Sequence, residues 1–121
     1  MGALLVPPSG MATPQAISLG NYQVSYRTQP RQLIVYGTND VALMVRDAAG
    51  NPLMDGTIIV HPRMVTMAMF APDARAVVTS DAQYHAHIVF PMAGEWHLTI
   101  ELRRPGLAAL QAVIPVSVHW R

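Results

Sequence analysis

The sequence predicts an all-β sandwich or barrel of about seven to nine short strands. Three observations carry this. Apolar and polar residues alternate with period two in several stretches, as in Tyr22, Val24 and Tyr26 against Gln23, Ser25 and Arg27. Turn clusters built from Gly, Pro, Asn and Asp recur every eight to twelve residues or so. No stretch holds a convincing period of 3.6; residues 107–113 have helical propensity, but the alternation after them favours a strand.

The elements follow in order. Residues 1–20 are rich in Pro, Gly and Ser, lack periodicity, and read as an N-terminal tail or linker, or the remnant of a removed signal or anchor. Ala3 to Val6 is too short for a signal-peptide core and no basic region precedes it. No window approaches the ~20 apolar residues of a membrane span. Residues 21–121 read as a single domain. Tyr22 to Arg27 opens it, Leu33 to Tyr36 is short and apolar, and Gly37 to Asp40 is a turn. Val41, Leu43 and Val45 mark the next strand, and Asp47 to Pro52 turns again. Thr57 to Val60 is a β-branched run that Pro62 should end or place at an edge. Arg75 to Thr79 is a short strand, and Tyr84 to Phe90 a longer one. Pro91 to Gly94 reads as a hairpin loop, followed by Glu95 to Arg103 with Trp96, Leu98, Ile100 and Leu102 on one face. Leu107 to Trp120 is the last strand, with Pro115 at an edge or bulge. Ala82-Gln83-Tyr84 has the local form of a tyrosine corner, in which the hydroxyl bonds back to the preceding turn.

Composition narrows the function. The chain has 121 residues, 51% apolar and 12% charged, enough for one core and against disorder. Its net charge of +1, with no basic run, gives no reason to expect nucleic acid. All eight cationic side chains are arginine. There is no cysteine, so disulfides, thiolate metal sites and cysteine nucleophiles are excluded. The sequence also lacks the nucleophile elbow, the zinc-protease helix motif, the P-loop and the dinucleotide fingerprint. Ser80-Asp81 with His85 has no oxyanion hole to serve. A binding or accessory role is expected rather than an enzyme.

The chemistry concentrates between His61 and His97, which holds four of the eight methionines and four of the five histidines. Thioether sulfur and imidazole nitrogen suit Cu(I). Met67 and Met69, if extended, point the same way with Cα atoms ~6.6 Å apart. Met64 has the opposite parity and joins them only where residues 62–66 leave regular strand. His85 and His87 share the outward face of their strand. A hairpin pairing Phe90 with Trp96 would set Glu101 opposite His85 as its orienting carboxylate. The candidate metal ligands are therefore Met64, Met67 and Met69, with His61, His85 and His87 in reserve. His97 and His119 read as surface. The alternative is methionine as irregular core filler and histidine on an ordinary solvated face.

Gly50-Asn51-Pro52, Asp55-Gly56 ahead of Thr57 to Val60, the methionine stretch, Tyr84, and Phe90-Pro91-Met92-Ala93-Gly94-Glu95-Trp96 together resemble the YtkA-like domain family and its FixH-like relatives. The last phrase is the most specific. The resemblance implies an extracytoplasmic immunoglobulin-like antiparallel β-sandwich, periplasmic or at the cell surface, often anchored to a membrane or fused to transport components. It implies copper handling, delivery or efflux, with a metal ion and a membrane transporter or oxidase-assembly partner, and it places Met64, Met67, Met69 and Met92 where such domains carry methionines. Arg63 departs from the family phrase and sets a positive charge among the ligands. A sandwich that binds no metal and serves as an interaction module or accessory subunit of a membrane complex is the alternative.

Overall fold

The structure, a computed structural model, describes residues 15–120. Ten strands fill it: β1 (Gln15–Leu19), β2 (Tyr22–Gln29), β3 (Leu33–Ile34), β4 (Asn39–Arg46), β5 (Thr57–Met64), β6 (Ala74–Arg75), β7 (Val77–Val78), β8 (Tyr84–Ile88), β9 (Gly94–Arg103) and β10 (Leu110–His119). They form two five-stranded sheets, ordered β1-β2-β4-β8-β7 and β3-β10-β9-β5-β6. All pairs are antiparallel except β3 with β10. The expected β-sandwich is present.

Alternation builds the core. Val24, Val41, Leu43, Val45, Ala86 and Ile88 of the first sheet are buried, as are Ile58, Val60, Trp96, Leu98, Ile100, Leu102 and Ile114 of the second. Burying an aliphatic or aromatic side chain of this kind contributes roughly 1.5–3 kcal/mol. Phe90 and Trp96 pack edge to face with ring centroids 5.1 Å apart.

Four expectations change. Of the tail read over residues 1–20, residues 15–19 form β1 and pair with β2 across a two-residue turn at Gly20-Asn21; residues 1–14 lie outside the described residues. Only Leu19 of β1 is fully buried, so its apolar signal is weak. The single strand read at 75–79 is two, because the chain changes sheet at Ala76: β6 pairs with β5, and β7 with β8. Residues 91–94 do not close a hairpin. They carry the chain from β8 in one sheet to β9 in the other, and β9 lies between β10 and β5. The Tyr84 hydroxyl does bond to backbone, but it donates to the Leu53 carbonyl (2.9 Å) and accepts from the Gly56 amide (3.3 Å), not in the turn just before it.

Both strand prolines sit where a missing N–H is harmless. β5 continues through Pro62 to Met64. The Pro62 carbonyl accepts from Ala71 N–H, so the Pro62 nitrogen faces the same outer side, away from β9. In β10, the His119 carbonyl accepts from Val35 N–H on the β3 side. Pro115 shares that parity, and β3 pairs only with Val118 and His119, so the Pro115 nitrogen faces an edge without a ladder partner.

Candidate metal-binding hollow

The methionines come together through a reversal of the chain after β5. Arg63 bridges Phe70, and Met64 N–H donates to the Met69 carbonyl (2.8 Å). Val65 N–H donates to the Glu95 carbonyl (3.0 Å), tying the base of the reversal to β9. Within it, Met69 N–H closes back on the Met67 carbonyl (2.8 Å). Met64 and Met69 therefore stand directly opposite each other, a placement that sets Cβ atoms roughly 4.5–5.5 Å apart. This corrects the route expected from sequence. Residues 62–64 are regular strand, and it is the fold-back that overcomes the parity of Met64.

Met64, Met67 and Met69 line one hollow of about 340 Å³ together with Arg63, Ala68 and Phe70. Met64 and Met69 pack partly against the core, and Met67 is half exposed. Gly94 makes room for Met64: a Cβ there would lie 2.6 Å from the Met64 methyl carbon, and the glycine holds a φ of +141°. Met92 lies outside this lining and contributes its carbonyl to the Trp96 indole N–H (3.0 Å).

The donor set fits a soft ion. Three neutral thioethers without carboxylate or imidazole favour Cu(I) over harder cations. Arg63 opposes any cation in the hollow, and a divalent one twice as strongly as a monovalent one. Among the described residues, no group of three or more His, Cys, Asp or Glu side chains is placed to hold a metal ion.

The histidines are elsewhere. His61 projects from the outer face of β5 with both ring nitrogens engaged: Nδ1 is 3.0 Å from Asp73 Oδ1, and Nε2 is 2.9 Å from Glu101 Oε1. The second oxygen of Glu101 accepts from Arg103 Nε at 3.0 Å. The hydrogen bond to Glu101 raises the His61 pKa, with Asp73 adding to it against the opposing effect of burial. Glu101 is lowered in turn, first by His61 and then by Arg103. Each ring nitrogen of His61 thus faces a carboxylate at hydrogen-bond distance, away from the methionines.

His85 and His87 share an outward face as expected, but on β8 in the other sheet. Asp40 bonds His85, with Oδ2 3.0 Å from its Nδ1, while Oδ1 stays 3.7 Å from His87 Nδ1, beyond hydrogen-bond distance. The core separates them from His61, so the structure does not bring the three histidines to one point or to the methionines. Glu101 orients His61, not His85, because β5 rather than β8 neighbours β9. His97 and His119 are exposed. Asp40 and Asp73 escape sequence reasoning because their partners lie on other strands, and only the register reveals them.

No protein-family model matches the chain, and no curated protein matches it in sequence. Solved structures do match in fold. A DUF4426 family protein from Pseudomonas aeruginosa superposes with a TM-score of 0.63 at 16% identity, covering 86% of this chain and 93% of that one. FetP from uropathogenic E. coli, expressed recombinantly in the periplasm, gives 0.61 at 10% identity over 87% and 94%. A copper-bound variant of Campylobacter jejuni P19 gives 0.52 at 8% identity over 90% and 97%. At these identities the likeness defines a class of fold: a two-sheet sandwich, here carrying a methionine-lined hollow at the end of β5.

Proposed function

We propose that this chain is an extracytoplasmic domain that binds Cu(I) through Met64, Met67 and Met69 and serves copper handling, delivery or efflux beside a membrane transporter or an oxidase-assembly partner. The observation that carries this is the placement of three methionines in the lining of one hollow. The copper-bound P19 variant and the periplasmically expressed FetP share the fold and support the metal and the compartment. Thioether ligands tolerate an oxidising compartment because they form no disulfides. The role is binding rather than catalysis.

The test is Cu(I) titration against a competing chelator under reducing conditions. The parent chain is expected to take up one equivalent. Replacing Met67 and Met69 together with leucine keeps the volume and removes two donors, and affinity is expected to fall at least about tenfold. Absence of uptake below micromolar free Cu(I) would end the metal reading, and unchanged uptake in the double variant would end this choice of ligands.

A second reading has its own observation. Val65 and Met67 are each 50% exposed and Phe70 is 73% exposed on the same reversal. Such a surface, adaptable through its methionines, suits an interaction module that contacts a membrane complex without metal. The leucine variant separates the two readings, since it keeps the apolar surface and loses the sulfur.

A further inference from the structure

The three methionines of the hollow differ in how far solvent reaches them. Met64 and Met69 pack partly against the core. Met67 is 50% exposed. It sits at the bend of the reversal, where its carbonyl accepts from Met69 N–H at 2.8 Å, a bond that needs no metal. The chain has no cysteine, so thioether sulfur is its most readily oxidised side-chain group. Met54 offers an internal comparison, since it is 45% exposed and lies outside the lining of the hollow.

Oxidation would change the class of ligand at Met67. With hydrogen peroxide, a sulfur lone pair attacks one peroxide oxygen. An S–O bond forms as the O–O bond breaks, and the departing hydroxide takes up the proton to leave as water. Sulfur loses two electrons and peroxide gains them. The product is methionine sulfoxide, which is polar and presents a hard oxygen where the thioether presented a soft sulfur. Two thiols reverse the step: they become a disulfide, and the oxygen leaves as water.

We propose that Met67 is a reversible oxidation site that gates the hollow. As a thioether it completes the Cu(I) ligands, and as a sulfoxide it lets the ion go, while packing shields Met64 and Met69. The inference rests on the copper reading of this hollow. Protection runs the other way as well: sulfur that donates its lone pair to the ion has less to offer a peroxide.

The experiment treats the full chain with limiting hydrogen peroxide, with and without one equivalent of Ag(I), a soft ion that does not cycle with peroxide. Sulfoxide at each methionine is followed by peptide mass spectrometry. Met67 is expected to oxidise ahead of Met64 and Met69. Ag(I) is expected to slow Met67 at least about fivefold and to leave Met54 unchanged. Oxidation of Met67 is expected to lower Cu(I) affinity about tenfold in competition titration, and methionine sulfoxide reductase with a thiol to restore it. In Met67→Leu, which starts weaker, peroxide is expected to cause no further fall. Earlier oxidation of Met64 or Met69, equal protection of Met54 and Met67 by Ag(I), or full Cu(I) affinity with Met67 oxidised would each overturn the proposal and leave the copper reading standing. No Cu(I) uptake by the untreated chain would overturn both.

Discussion

Asn39 and His61 show how much single side chains hold in this fold. Asn39 is fully buried; its Oδ1 accepts from Ile34 N–H (2.9 Å), and its Nδ2 donates to the carbonyls of Ile34, Gly37 and Ile88 at 2.9, 3.3 and 3.1 Å. Asn39→Ala leaves these backbone groups unpaired in the core, and is expected to lower unfolding free energy by about 2–4 kcal/mol in a denaturant titration. A loss below about 1 kcal/mol would show that the amide is not the staple described. His61 sets a pH dependence. Its raised pKa contributes stability that is complete below its unfolded value of 6.5 and is lost as pH rises through the folded value. Glu101, lowered, contributes stability that is complete above its unfolded value of 4.5 and is lost as pH falls through its folded value. The stability gap between the parent chain and His61→Gln is therefore expected to be widest between pH 4.5 and 6.5 and to narrow on both sides. A gap that stays flat across pH 4–9 in chemical denaturation would contradict the carboxylate–imidazolium bridge. Neither residue's role is legible in sequence. Asn39 reads there as part of a turn, and the partners of His61 lie 12 and 40 positions away.

At the scale of elements, period-two alternation reveals most long strands, because each has one face on the core. It fails where burial is slight, as in β1, and where a run is too short to show a period, as in β6 and β7. The methionine reversal was partly legible: residue type pointed to Met64, Met67 and Met69, but strand parity alone separated Met64 from the others. What unites them is the register Arg63 with Phe70, which depends on backbone bonds that no side-chain pattern encodes. Gly94 belongs to this device. Its substitution by alanine places a Cβ where the Met64 methyl group lies, at a φ that disfavours any side chain. The methyl end of Met64 is flexible and must swing away, so Gly94→Ala is expected to weaken Cu(I) binding several-fold, about 1 kcal/mol, with the sandwich retained. Competition titration beside far-ultraviolet circular dichroism checks both halves; unchanged affinity would mean that Met64 is not a ligand.

For the whole molecule, the sandwich was legible as a class, while the assignment of strands to sheets was not. A strand that continues as a hairpin and one that crosses to the facing sheet both bury alternate residues in the same core, so Phe90 and Trp96 are inward in either case. That ambiguity displaced the expected site, since it put His85 beside Glu101 instead of on the far face. Among the described residues, β10 forms ladder pairs along its outer edge, with β3, only at Val118 and His119, and Pro115 borders a groove whose far wall includes Gln15 of β1 and Tyr26 of β2. Strand backbone without a ladder partner invites pairing between molecules. Pro115 withholds a donor in the middle of that edge, with its nitrogen turned outward by the parity of the His119 carbonyl bond. Pro115→Val restores an outward N–H and raises β propensity without altering the β9 ladder. It is expected to shift the chain toward a concentration-dependent dimer in light scattering, relative to the parent at equal concentration, and Pro115→Lys, which restores the N–H but adds charge, is expected to do so less. An unchanged mass distribution for Pro115→Val would mean that the proline is not what guards this edge.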